Sequence, residues 1–223
     1  MDYSEIKGQY LPKRAIEIAV AGNHNLLMVG PPGAGKTALA KRMPTILPPL
    51  TNEECMELTM IYSIMGALDD ENPLITNRPF REVHQTVTKT SLIGGGTLPK
   101  PGEITLANKG ILFLDEIAEF KREVLETLRQ PLEEKRIKIL RERGEYEFPA
   151  EFLLVAAMNP CPCGYYPDKN RCQCTDNQIK KYLNRISQPL LDRIDICVEV
   201  AKVPYNALIK EGAEETSERI RER

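Results

Sequence analysis

Three groups of side chains have the types and spacing to do chemistry. The first is Gly30-Pro31-Pro32-Gly33-Ala34-Gly35-Lys36-Thr37, which fits G-x-x-x-x-G-K-[ST] at every position. The backbone N–H groups of such a loop surround a phosphate, and the helix start that follows adds a field favourable to an anion. Gly33 and Gly35 allow dihedrals closed to other residues and let the backbone approach the phosphate. Lys36 can reach the β- and γ-phosphates, and the Thr37 hydroxyl can ligate a magnesium ion that bridges them. The stretch from Gly30 to Ala38 is therefore the expected contact surface for a nucleotide's phosphates, a glycine turn with an incidental Lys-Thr being the alternative.

The second group is a pair of carboxylates and an amide. Ile111-Leu112-Phe113-Leu114 is an apolar run of buried-strand length that ends in Asp115-Glu116. Open α/β sheets place ligands beyond the carboxyl ends of their strands. Asp115 there would hold the magnesium, and Glu116 would orient and deprotonate an attacking water. A helix-capping Asp-Glu is the plainer alternative. Phe152-to-Met158 is a second apolar run, ending in Asn159-Pro160, whose amide could hold the γ-phosphate or the water, or merely form a turn.

Cys161, Cys163, Cys172 and Cys174 form the third group, as C-x-C, eight residues, C-x-C. Four thiols in so short a span suit either a tetrahedral zinc site or a surface loop of free thiols, C-x-C being tighter than the usual C-x₂₋₄-C. Cys55 and Cys197 lie in apolar surroundings and read as buried fillers.

The elements that must position these groups follow from pattern. Asn25-to-Val29 is a strand before the glycine loop, and Ala38-to-Arg42 are helix formers after it. Ala15, Ile18, Ala19 and Gly22 mark one face of an earlier helix. Thr51 caps a helix running towards Met65, and residues 69–80 read as loop. Gly94-Gly95-Gly96 and Pro99-to-Gly102 mark a long flexible excursion. Phe120 to Glu134 reads as one amphipathic helix with Val124, Leu125, Leu128 and Leu132 inward. Lys135-to-Arg141 and Tyr146-to-Phe148 flank a turn, giving a hairpin whose basic arm (Arg136, Lys138, Arg141) faces either a phosphate backbone or solvent. Gln178 to Arg185 is helical, and Ile196 to Val200 is a last strand. From Tyr205 onward the pattern is charged helix with little apolar face.

At 223 residues, 42% hydrophobic and 28% charged, the chain has the composition of a soluble globular domain. A net charge of −2 excludes recruitment of nucleic acid by a global basic field, leaving a local patch as the only route. No apolar run approaches the roughly 18 residues of a membrane span, and the acidic, polar start is unlike a secretory signal. The expectation is a cytoplasmic protein whose thiols are reduced or metal-bound.

Taken together, the residues resemble the magnesium-chelatase-like AAA+ ATPases, most nearly the bacterial ComM/YifB type. The likeness spans nearly all of residues 3–223 and rests on Gly30-to-Thr37, Pro101-to-Ile104 with Leu106-Ala107, Leu112-to-Glu116, Phe120-Lys121 with Leu128-to-Glu133, Ala157-to-Tyr166 and Arg185-to-Asp195. It implies an α/β P-loop fold with a parallel central sheet flanked by helices, a helix-2 insert at 69–102, and a hairpin at 135–149 before the sensor strand. It implies an ATP-driven ring, usually a hexamer, with each nucleotide between two subunits. Asn159 would sense the γ-phosphate, and Arg193 would be the finger acting on the neighbour's ATP, with Arg185 the second candidate. Ile6, Lys7 and Gly8 would lie near the adenine. ComM-type relatives are linked to branch migration of DNA, whereas chelatase subunits remodel a protein partner to insert metal into a porphyrin. Where relatives often carry His-His-Thr, this chain has Val83-His84-Gln85-Thr86. The expected organisation is an ATPase core at 1–204 and the start of a truncated C-terminal helical lid at 205–223, in a fragment of a longer protein.

Overall fold

The computed structural model describes residues 2–68, 73–97, 99–141, 144–203 and 214–223. Its centre is a parallel sheet of β1 (Leu26–Val29), β2 (Phe80–Val83), β3 (Ile111–Leu114), β4 (Leu153–Met158) and β5 (Ile196–Glu199), in the order β2-β3-β4-β1-β5. Every residue of β3 and β4 is buried, as a parallel strand covered on both faces must be. Alternation along the strands divides their side chains between two cores. Leu26, Met28, Ile111, Phe113, Val155 and Ala157 face one, and Leu27, Leu112, Leu114, Leu154 and Ala156 the other.

Helices α1 (Tyr10–Gly22), α2 (Lys36–Arg42), α3 (Asn52–Ile64), α4 (Asp176–Leu183) and α5 (Ser217–Glu222) start where the local chemistry allows. Thr51 and Thr175 each accept from the third helical N–H while Glu54 and Gln178 reach back, two complete capping boxes. In α1 the buried face is Pro12, Ile16 and Ala19; Ile18, expected inside, is exposed. Its position falls off the stripe that those three set at i, i+4 and i+7. The expected single helix over Phe120–Glu134 is broken into Arg122–Leu125, a 3₁₀ turn at Glu126–Leu128, and Arg129–Glu134. Pro131 supplies no N–H to the carbonyl four residues earlier, so the ladder cannot run through. Val124, Leu125, Leu128 and Leu132 are nevertheless buried.

Phe80–Val83, read as loop running into an unassigned stretch, is instead the edge strand β2. The excursion folds back as a short antiparallel ladder of Gly94–Gly95 with Lys100–Pro101. The hairpin is present as Arg136–Arg141 paired with Gly144–Pro149. Its inward Ile137 and Ile139 join the second core. The expected boundary at 204/205 lies outside the described residues. Beyond it α5 docks on the N-terminal segment: Ile220 is buried, and the Ser217 hydroxyl accepts from the Tyr3 N–H at 2.8 Å.

Asn25 ties three strands at the sheet's amino edge. Its Oδ1 accepts from Leu154 N at 3.0 Å, its Nδ2 donates to the Arg193 carbonyl at 2.8 Å, and its own carbonyl receives Ile196 N. Truncating it leaves a buried N–H and a carbonyl unpaired, each worth about 1–3 kcal/mol. Asn25→Ala should therefore lose on the order of 2–4 kcal/mol in urea unfolding, with an unchanged denaturant slope; a loss below about 0.5 kcal/mol would deny it this role.

Candidate functional site

Register decides which residues meet. Val29 lies beside Met158 and Leu114 beside Ala156, so β1, β3 and β4 end within two residues of one another. The glycine loop, Asp115-Glu116 and Asn159 therefore emerge at the same carboxyl edge. Lys36, the first residue of α2, is only 8% exposed. Its Nζ donates to the carbonyls of Gly30 (2.6 Å) and Pro31 (3.1 Å) and to Asn159 Oδ1 (3.2 Å). Burial pulls its pKa below the usual lysine value, and the charges of Asp115 and Glu116 push the other way. Gly33 and Gly35 stand at φ 72° and 94° with open space around them, so conformation alone reserves these positions for glycine.

The Thr37 hydroxyl donates to Asp115 Oδ2 at 2.7 Å, and Asp115 Oδ1 accepts from the Glu116 N–H at 3.0 Å. A hydroxyl and a carboxylate in contact form an all-oxygen donor pair that fits a hard divalent cation. Glu116 has φ 52° and ψ 46°, the left-handed region that a glutamate occupies only when its surroundings hold it there. A cleft of about 380 Å³ opens beside it, lined by Glu82, Val83, His84, Gln85, Asp115 and Glu116. His84 and Gln85, where the chain departs from the His-His-Thr pattern, thus border the carboxylates.

Two residues that pattern reading did not single out support this edge. Gln9 Nε2 donates to the Ala34 carbonyl of the glycine loop (2.9 Å) and to Ala201 (2.7 Å). Ile6 and Gly8, expected near an adenine, lie on the same segment: the Ile6 carbonyl receives Lys13 Nζ at 2.5 Å, and the Gly8 N–H donates to Glu214 at 2.9 Å. Tyr182 sits in α4 with its phenol pushed up to about 12, chiefly by burial and also by Glu119, while a hydrogen bond with the Asn159 backbone opposes.

The arginines occupy different places. Arg185 pairs with Glu119 at 2.6 Å, on the turn just after Glu116. Arg193 is far from its own glycine loop. Its carbonyl is held by Asn25 before β1, whereas the loop follows β1, a separation of about 13 Å along a four-residue strand. Its guanidinium bonds Glu133 and the Pro189 carbonyl, and its Nε has no partner among the described residues.

The hairpin's basic arm is largely paired. Arg136 contacts Glu147 (3.3 Å) and Glu134 (3.7 Å), Lys138 lies 3.8 Å from Glu145, and Arg141 donates to the Gly96 carbonyl of the excursion at 3.2 Å. The four cysteines of the third group converge, all four Sγ atoms lying within 4.8 Å of one another. The other two are not buried fillers: Cys55 is half-buried, and Cys197 is exposed because it alternates along β5 with the buried Val198 and so faces outward.

The magnesium chelatase family, subunit ChlI, matches residues 2–208. The chain belongs to this family. It is 46% identical over 223 residues to YifB of Salmonella typhimurium and 48% identical over 225 residues to the competence protein ComM of Haemophilus influenzae. It spans all of its own length in each match but 44% of each relative. Crystal structures of NtrX from Brucella abortus with ADP and with ATP align with TM-scores of 0.55 and 0.54 over 88% of this chain, at 19% and 21% identity. They cover 37% and 38% of NtrX, and the likeness is one of fold. The family and the parallel sheet make this an AAA+ P-loop fold. Among the described residues no helix is long and apolar enough to cross a membrane.

The strain at Glu116 has a measurable signature. Glycine adopts that backbone freely, and a left-handed non-glycine residue costs about 1–2 kcal/mol. Glu116→Gly should match or exceed the parent in thermal stability, while Glu116→Ala, which keeps the strain, should not exceed it. A marked loss of stability in both variants would show that the carboxylate, and not the backbone strain, dominates at this position.

Proposed function

We propose that this chain is the Mg-ATP-hydrolysing core of a ring-forming AAA+ motor, usually a hexamer, that acts on DNA in the cytoplasm by branch migration or translocation. The observation that carries the reading is the meeting of Lys36, Thr37, Asp115, Glu116 and Asn159 at one sheet edge. Gly30 to Ala38 cradle the phosphates through backbone N–H groups, and Lys36 places its ammonium on the β- and γ-phosphates. Thr37 and Asp115 would hold the magnesium, whose charge neutralises the phosphate oxygens when bound. Glu116 accepts a proton from the attacking water at its carboxylate. Asn159, already within hydrogen-bond reach of Lys36, reads the γ-phosphate with its amide. Ile6 and Gly8 border the base.

Arg193 suits action in trans. It stands at the opposite sheet edge from its own glycine loop, and a neighbour's phosphates lack only the cation it would bring. In the intact protein, Lys36→Ala should bind ATP poorly, while Glu116→Gln and Arg193→Ala should bind it and hydrolyse it at least about 10²-fold more slowly. Mixing Lys36→Ala with Arg193→Ala protein should restore part of the activity, since some interfaces regain both residues. Near-normal turnover by Glu116→Gln would remove it from the mechanism. A dead mixture with proven subunit exchange would move the finger role to Arg185.

The competence protein among the relatives supports DNA as the substrate. A second reading, a chelatase-like subunit remodelling a protein partner, gains support from the acidic partners that occupy Arg136 and Lys138. The two separate cleanly. A DNA motor should hydrolyse ATP faster with single-stranded, duplex or branched DNA. Replacing Arg136 and Lys138 by Gln should weaken its binding to all sequences and lower the salt slope by about one per cation. No stimulation and an unchanged slope would favour the protein partner.

A further inference from the structure

Residues 159–175 contain neither helix nor strand, yet they hold four thiols in one place. Cys161 Sγ lies 3.4 Å from Cys163 Sγ and 3.8 Å from Cys172 Sγ, and Cys163 lies 3.6 Å from Cys172. Four thiolates at about 2.3 Å from a tetrahedral zinc stand about 3.8 Å apart, so the spacing is that of a ligand shell. Disulfides need about 2.05 Å. The surrounding backbone is shaped to the cluster. Gly164 N closes a turn on the Cys161 carbonyl at 3.0 Å, and Cys172 N closes another on Asp168 at 2.7 Å. Tyr166 N points at Cys161 Sγ at 3.4 Å, the kind of N–H···S contact that orients a metal-bound thiolate. Only Cys161 of the four is fully buried, so apolar packing is a weak source of order here.

This loop is also a wall of the phosphate site. Its first cysteine, Cys161, lies two residues after Asn159. The Gly164 backbone rests on the glycine loop so closely that a Cβ there would fall 2.5 Å from Pro32 Cδ and 2.8 Å from Pro32 Cγ. Gly164 itself stands at φ 83°.

We propose that Cys161, Cys163, Cys172 and Cys174 bind one zinc ion through four thiolates, and that the closed loop positions Asn159 and Pro32 for the nucleotide. The zinc site stands on the thiol geometry alone; only its positioning role rests on the proposed ATP site. Binding releases the thiol protons to solvent as four Zn–S bonds form, with no change of oxidation state. The loop then becomes a rigid abutment for the glycine loop.

Elemental analysis tests the first part directly. Intact protein purified without added metal should carry about one zinc and no iron per chain. Titration with an organomercurial should release that zinc as four protected thiols react. Folded protein with under about 0.2 zinc per chain and four freely reactive cluster thiols, or iron in place of zinc, overturns the site. Cys172→Ser should lose the metal and weaken binding of a non-hydrolysable ATP analogue at least about tenfold, while Cys55→Ser changes neither. Gly164→Ala keeps all four thiols, so it should retain zinc and still weaken the analogue. Native analogue affinity in a folded, zinc-free Cys172→Ser protein overturns the positioning role and leaves the ATP site standing. Absence of analogue binding by the parent protein, with zinc present, would instead overturn the ATP reading and with it the positioning role, and leave the zinc site standing.

Discussion

The parallel pairing of β3, β4 and β1 is the constraint on which everything else depends. None of the functional residues at the carboxyl edge lies in a strand; each follows one. Their meeting is set by where the ladders stop, with Val29 against Met158 and Leu114 against Ala156. A slip of one residue would send each strand's side chains to the opposite face, exchanging the two cores and moving the loops by a residue's length. Complete burial of β3 and β4 opposes this, because the side chains on both faces are already packed into the two cores. The hydrophobic core and the chemistry are thus one problem, and the first solves the second.

The opposite edge of the same sheet has its own organisation. Asn25 holds the backbone of Arg193, receives Leu154, and begins the strand that ends at the glycine loop. One side chain therefore sets the registry of β4 and β5 against β1 and fixes where a candidate trans-acting cation is displayed. The two edges are joined by four residues of β1, so the spacing between the glycine loop and the Arg193 backbone is rigid.

What could be read from sequence divides along physical lines. The glycine loop, Asp115-Glu116 and the strands β1, β3 and β4 were legible because each is contiguous and each buried parallel strand is an unbroken apolar run. β2 was not, because an edge strand is half solvated: Arg81 pairs with Glu103 at 2.7 Å and Glu82 with Lys41 at 2.8 Å, giving a charged stretch between Phe80 and Val83. The break before Pro131 was missed because a 3₁₀ turn keeps the same residues inward. Gln9, Asn25 and Tyr182 left no pattern, since each acts on backbone groups far away in the chain. The spacing of the four cysteines was visible, but their convergence depends on turns whose geometry eight intervening residues do not specify.

The ammonium of Lys36 already has company: two loop carbonyls and the Asn159 amide oxygen. An incoming anion must therefore displace competitors and cannot simply dock. A neutral carbonyl offers the ammonium a dipole, and a singly charged, well-hydrated anion gains little by taking its place. A multiply charged phosphate group gains far more, because charge–charge attraction grows with each added charge and is strengthened by burial. The contacts that hold the lysine thus set a threshold that a weak anion such as chloride would not cross and a polyphosphate would, so any selectivity here would come from what the loop itself puts in the way.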